Sequence, residues 1–294
     1  MQKITEAVRA GRILVSDGAW GTFLHEKGLK PGECPESWCE SRFDDIVDVA
    51  ARYVRAGADM IGTNSFGGSC FKLEHYGLAA GAAALNEAAA RASRLAAGAE
   101  RWVIASIGPT GKMLITEEVT EQELYEAFKT QARAFESGGA DAACIETMSD
   151  IGEAVQAIRA VKENTRLEVI CTFTFERTVR GDYRTMMGVS PAEAARACIG
   201  AGADIIGTNC GNGIERMIEI VREMRAVDGG IPILVQANAG LPRLVDGERV
   251  FTDSPDGMAR FVPALIEAGA NIIGGCCGAA PAHITAIAEA IARR

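Results

Sequence analysis

The chain has 294 residues, 48% hydrophobic and 23% charged, the balance of an ordinary soluble globular protein. Its net charge of -9 at pH 7 argues against nucleic acid or an anionic membrane surface as partner. No apolar run approaches the roughly 20 residues of a spanning helix, and the N-terminal stretch lacks the apolar core of a signal peptide. Nine cysteines, an odd number set mostly in apolar or helical stretches, point to a reducing compartment with free or metal-bound thiols. The expected location is therefore cytoplasmic.

Short apolar runs alternate eight times with amphipathic stretches. The runs cover residues 13–17, 59–64, 102–107, 141–146, 168–174, 204–209, 233–238 and 271–274. Continuous apolar runs fit parallel strands covered on both faces. Residues 45–54 have helical spacing, residues 123–128 open another helix, and the alanine-rich stretch 77–99 reads as helical. Ser190, Pro191 and Glu193 predict an N-cap, a first-turn proline and a capping box. Glycines 57, 139, 202 and 269 predict left-handed helix ends just before strands. Eight strand–helix units predict a single-domain (β/α)8 TIM barrel over residues 1–294. The second and sixth units share Gly-Ala-Asp-x-Ile-Gly-Thr-Asn, and the fourth and eighth share Gly-Ala-Asp/Asn. This suggests two similar half-barrels, or simply that strand starts look alike.

Active sites of such barrels lie where the strands end. Asp17, Asn64, Glu146, Asn209, Cys210, Asn238, Cys276 and Cys277 all fall there. Cys276 and Cys277 are adjacent, and a disulfide between neighbours is badly strained. With Cys210 from another strand end they form a three-thiolate set for zinc, leaving one coordination position open. A substrate thiol in that position would be held as a thiolate, ready to take a methyl group from an electrophile presented in line. Asp17 and Glu146 suit either acid–base work or the ammonium of an amino-acid substrate. The turn Gly18-Ala19-Trp20-Gly21-Thr22 offers N–H groups for its carboxylate. Trp20, Trp38 and Phe66 could wall the pocket or belong to the core. Cys34, Cys39, Cys70, Cys144, Cys171 and Cys198 are expected to pack, and His25, His75 and His283 to be surface or packing residues.

These residues resemble a known family. Asp17-Gly18-Ala19-Trp20-Gly21-Thr22, Thr63-Asn64-Ser65-Phe66-Gly67-Gly68, Ile145-Glu146-Thr147-Met148-Ser149-Asp150, Gly207-Thr208-Asn209-Cys210-Gly211, Asn238-Ala239-Gly240-Leu241-Pro242 and Gly274-Gly275-Cys276-Cys277-Gly278 run nearly end to end. They are similar to the homocysteine-binding domains of cobalamin-dependent methionine synthase, betaine–homocysteine methyltransferase and S-methylmethionine-dependent homocysteine methyltransferases. The resemblance implies zinc on Cys210, Cys276 and Cys277, which then carry the catalysis, and homocysteine as methyl acceptor, giving methionine. It implies that Asp17 and Glu146 hold the amino group, with Gly18, Ala19, Asn64, Asn209 and Asn238 as further substrate-binding residues. The Asn238–Pro242 stretch is closest to the methionine synthase branch, where methylcobalamin is the donor. The 294 residues leave no room for folate and cobalamin domains, and the Asp-x-His-x-x-Gly corrinoid signature is absent. The expected donor is therefore a methylcorrinoid supplied by a separate protein. S-methylmethionine, S-adenosylmethionine or a betaine as donor, another thiol as acceptor, and a non-catalytic zinc-binding subunit are the alternatives.

Overall fold

The eight apolar runs become eight parallel strands. The computed structural model describes residues 2–241, 243–245 and 248–293; Pro242, the last residue of the Asn238–Pro242 stretch, lies outside them. The strands are β1 (Leu14–Val15), β2 (Met60–Gly62), β3 (Trp102–Ile107), β4 (Ala142–Met148), β5 (Glu168–Phe173), β6 (Ile205–Gly213), β7 (Ile233–Asn238) and β8 (Ile272–Gly275). Each pairs in parallel with its neighbours in chain order, and β8 pairs with β1. A parallel bridge from Ser16 to Met60 joins β1 to β2 and closes the ring. The expected barrel is therefore formed. Its helices include Phe43–Arg55, Ala82–Ala97 and Glu121–Ser137. The Pro191–Ala201 helix has the predicted Ser190 cap and Glu193 capping box. No described helix is long and apolar enough to cross a membrane.

Alternate residues of a strand face the barrel interior. Leu14, Met60, Ile104, Cys144, Ile170, Ile205, Leu234 and Ile272, one from each strand, form a buried inner core. The short helix Ile4–Arg9 closes the lower end, adding Ile4, Ala7 and Val8 to that core. Buried Glu168, at the start of β5, anchors it by accepting the N–H groups of Ile4 and Thr5 at 2.6 and 3.1 Å. Two residues further along the strands, the inward positions shrink or turn polar: Ser16, Gly62, Ser106, Glu146, Gly207, Gln236 and Gly274. There the interior opens into a cavity of about 460 Å³.

The internal repeat is fourfold rather than twofold. Gly57, Gly139, Gly202 and Gly269 take left-handed φ values of 94°, 88°, 96° and 112°. Each is followed by Ala and then Asp59, Asp141, Asp204 or Asn271. These side chains accept the backbone N–H of Val15, Val103, Val169 and Ile233, each on the preceding strand, at 2.7–3.0 Å. Arg12, Arg94, Lys162 and Arg225 reach the same four side chains. One local device thus staples every second strand to the strand before it at the lower rim.

Candidate active site

The upper rim is irregular where the lower one repeats. Strands β4 and β6 slip register at their ends, between Ile145 and Met148 and between Asn209 and Gly213. Thr147 and Cys210 sit in these bulges with φ of 61° and 58°. Such a backbone costs roughly 1–3 kcal/mol for a non-glycine residue and persists only where its surroundings hold it. Asn209 is a large part of that hold. It is fully buried, and its Oδ1 accepts the Thr147 N–H at 2.8 Å and the Thr172 hydroxyl at 2.7 Å. Its Nδ2 donates to Thr147 Oγ1 at 2.7 Å and to Glu146 Oε2 at 3.3 Å. The bulges aim Glu146 and Cys210 at the cavity, and both line it.

Cys210, Cys276 and Cys277 converge as expected. Their sulfurs all lie within 4.8 Å of one another, with Cys210 Sγ 3.9 Å from Cys277 Sγ. This is the only such group of Cys, His, Asp or Glu side chains among the described residues. Hydrogen bonds from Cys276 and Cys277 hold the Cys210 thiol far below its usual range, and the same bonds to Cys210 push those two thiols up. Three sulfurs this close share one negative charge unless a cation sits among them. Zinc fits the set: a Zn–S distance of about 2.3 Å in a tetrahedron puts sulfurs about 3.8 Å apart. The Asn238 amide helps hold the Cys210 thiol down, and its buried Oδ1 has no partner, leaving an oxygen donor beside the sulfurs.

Asp17 lies on the cavity wall and is 2% exposed. Its Oδ2 accepts the Trp20 indole N–H at 2.9 Å and the Gly62 N–H at 2.7 Å. Burial still pushes its carboxyl up to about 6, against those bonds. Burial pushes Glu146 up to about 7, opposed by the Ser106 hydroxyl and reinforced by the charges of Asp17 and Cys210. Ser106 Oγ donates to Glu146 Oε1. Two carboxyl groups and three cysteine sulfurs thus border one cavity, and a bound ammonium would relieve the penalty on both carboxylates.

The glycine turn at Gly18 is packed against the cysteine loop. A Cβ on Gly18 would stand 2.3 Å from the Ala279 carbonyl, so no side chain fits there. The Ala19 N–H is spent on that carbonyl at 3.0 Å. Buried Tyr53 donates to the Ala19 carbonyl at 2.5 Å, with Ala279 O 3.2 Å from the same hydroxyl. The N–H groups left for a substrate carboxylate at this turn are those of Gly18 and, where the next helix begins, Gly21 and Thr22; all three residues line the cavity.

Asn64 also lines the cavity, but its Nδ2 donates to the Pro35 carbonyl at 2.7 Å. Asn209 and Asn238 stand behind the lining and act on Glu146, Thr147 and Cys210. Trp20 and Phe66 form part of the wall, whereas Trp38 is buried under the Arg42 guanidinium. All nine cysteines are free thiols. Cys144 reaches the cavity floor, and buried Cys39 donates to the Asn64 carbonyl. His25 and His283 are engaged by backbone groups, and His75 is exposed. Sequence reasoning passed over Ser106, Gln236 and Glu36, which also line the cavity. For the first two the signal was present: a polar residue at an inward position of an otherwise apolar strand.

Residues 14–291 match the family described as homocysteine S-methyltransferase. The chain is 32% identical over 303 aligned positions to the methionine synthase of Mycobacterium leprae, and 31% identical to that of Mycobacterium tuberculosis. In both cases 97% of this chain is covered but only 25% of the relative, so the chain spans about a quarter of their length. Among solved structures, the metallated form of the Escherichia coli homocysteine methyltransferase MmuM superposes with a TM-score of 0.76 at 23% identity, covering 96% of each chain. Its oxidized form gives 0.79 at 22% identity with full coverage of both. A fold shared throughout and a match running almost from end to end lead to one conclusion: the chain belongs to the homocysteine S-methyltransferase family of methyltransferases.

Proposed function

We propose that this protein transfers a methyl group to homocysteine, giving methionine, with zinc held by Cys210, Cys276 and Cys277. The observation that carries the reading is the convergence of three cysteine sulfurs on the edge of a cavity whose wall holds the buried Asp17 and half-buried Glu146 carboxyl groups. Zinc bound there would supply a low thiol pKa, keeping the substrate sulfur a thiolate at neutral pH. The chain's own residues do the rest. Asp17 and Glu146 take the substrate's ammonium, Trp20 and Gly62 fix the Asp17 carboxylate, and Ser106 and Asn209 fix that of Glu146. Gly18, Gly21 and Thr22 offer N–H groups to the substrate carboxylate, and Asn64 shapes the wall beside them. The substrate is thereby anchored at its amino-acid end, so that its sulfur lies at the open end of the cysteine set. Anchoring both ends of a short chain orders the attacking atom before the donor arrives.

The donor we propose is a methylated corrinoid, such as methylcobalamin, carried outside these 294 residues in a reducing, cytoplasmic setting. Mixing the zinc-loaded protein with methylcobalamin tests this by the corrinoid spectrum. The expected result is loss of the methyl–cobalt absorption only when homocysteine is present, with methionine formed. Methionine formed instead from S-methylmethionine, S-adenosylmethionine or betaine, with methylcobalamin inert, would overturn the donor while leaving the acceptor and the zinc in place.

A further inference from the structure

Strand β7 carries an amide side chain at the inward layer where the barrel interior opens into the cavity. Gln236 lies two residues beyond the core residue Leu234, is 7% exposed and lines the cavity. Its Nε2 donates to Ser16 Oγ at 3.2 Å, and Ser16 directly precedes Asp17 at the end of β1. Ser16 accepts from Gln236, with the amide nitrogen toward Ser16. The oxygen, Oε1, then points away from Ser16. It is buried and has no hydrogen-bond partner. Only four side-chain polar atoms of the described residues share that condition, and two of them, on Gln236 and Asn238, belong to this strand end. An orphaned buried acceptor carries its full desolvation penalty, which a leucine or methionine at the same position would avoid. A donor arriving with a ligand removes it.

The donor count fits a primary ammonium group, which has three N–H bonds to place. Asp17 and Glu146 provide two acidic acceptors, and Gln236 puts a neutral third on the wall of the same cavity. We propose that Gln236 Oε1 accepts the third N–H of the substrate's ammonium, making Gln236 a specificity residue for primary α-amino thiols. This rests on the assignment of Asp17 and Glu146 to an amino-acid substrate made above.

The test compares homocysteine with 4-mercaptobutanoate, the same thiol acid without the amino group, by calorimetric titration of the zinc-loaded protein and of Gln236→Leu. A hydrogen bond to a charged group leads us to expect ~10-fold weaker homocysteine binding in the variant, with 4-mercaptobutanoate unchanged. Gln236→Glu, which keeps an acceptor, retains tight homocysteine binding. If the leucine variant does not fold, Gln236→Met serves in its place. Equal weakening of both ligands would mean a packing role and overturn the proposal, as would unchanged binding of both. Wild-type protein that binds homocysteine no better than 4-mercaptobutanoate would overturn the ammonium assignment itself, and this proposal with it.

Discussion

Strands β2 and β6 begin with nearly the same eight residues, yet only their lower ends are used alike. Below, Gly57 and Gly202 take φ of 94° and 96°, and Asp59 and Asp204 accept backbone N–H groups at 2.9 and 2.8 Å. Above, the shared Gly-Thr-Asn diverges. Asn64 leaves a strand that has already ended and ties the Pro35 loop to the wall. Asn209 stays inside a strand that runs on through a bulge, and there it holds Thr147 and Glu146. The lower rim depends on contacts written within a few residues. The upper rim depends on what the neighbouring strands place opposite, which is where barrels carry their chemistry.

Three experiments sharpen that contrast. The largest effect belongs to the upper rim. Glu146 has its folded-state carboxyl raised from 4.5 to about 7. Folding therefore favours its protonated form, and the metal-free protein loses stability as pH rises from about 4.5 through about 7. Glu146→Gln removes that loss. Its advantage over wild type should be absent at pH 4 and grow to about 3 kcal/mol by pH 8, at 1.36 kcal/mol per unit. Denaturant midpoints of the reduced, metal-free proteins across this range measure it, and a pH-independent difference would mean that burial does not govern this carboxylate.

The next effect separates the two asparagines. Asn209→Ala frees Thr147 and Glu146, and should lower kcat/KM for homocysteine about 100-fold, the usual result of misplacing a binding group. Asn64→Ala should lower it much less and mainly cost stability, roughly 1–2 kcal/mol for the hydrogen bond to Pro35. Equal kinetic losses would erase the distinction drawn here. The smallest effect is at the lower rim. Asp59→Ala and Asp204→Ala should each cost about 1–2 kcal/mol, because each strands one backbone N–H, and neither should alter kcat/KM. A large difference between the two would show that the repeat is one of sequence and not of energetics.

Much of this was legible in the chain. Eight apolar runs, left-handed glycines and the Ser190 cap are local signals, and all of them appear in the barrel. The cysteine set was legible because its residues are chemically rare and sit at strand ends. Three things were not. The fourfold staple hides behind differing residues: Asn271 does the work of the aspartates, and its basic partners lie 42–47 residues earlier in the chain, beyond any local pattern. The holding role of Asn209 depends on bulges in β4 and β6, which no residue pattern announces. Ser106 and Gln236 look like isolated polar residues in apolar strands until the pleat turns them toward the cavity.

The most direct test of the central claim, that Cys210, Cys276 and Cys277 hold zinc to activate a substrate thiol, is proton release on homocysteine binding. It is measured by calorimetry of zinc-loaded protein near pH 7 in buffers of differing ionisation enthalpy. The prediction is one bound zinc and release of about one proton per homocysteine, since a thiol of pKa about 8.5 becomes a thiolate, with both lost in Cys276→Ser. Full zinc retention in that variant, or homocysteine binding to the wild type without proton release, would contradict it.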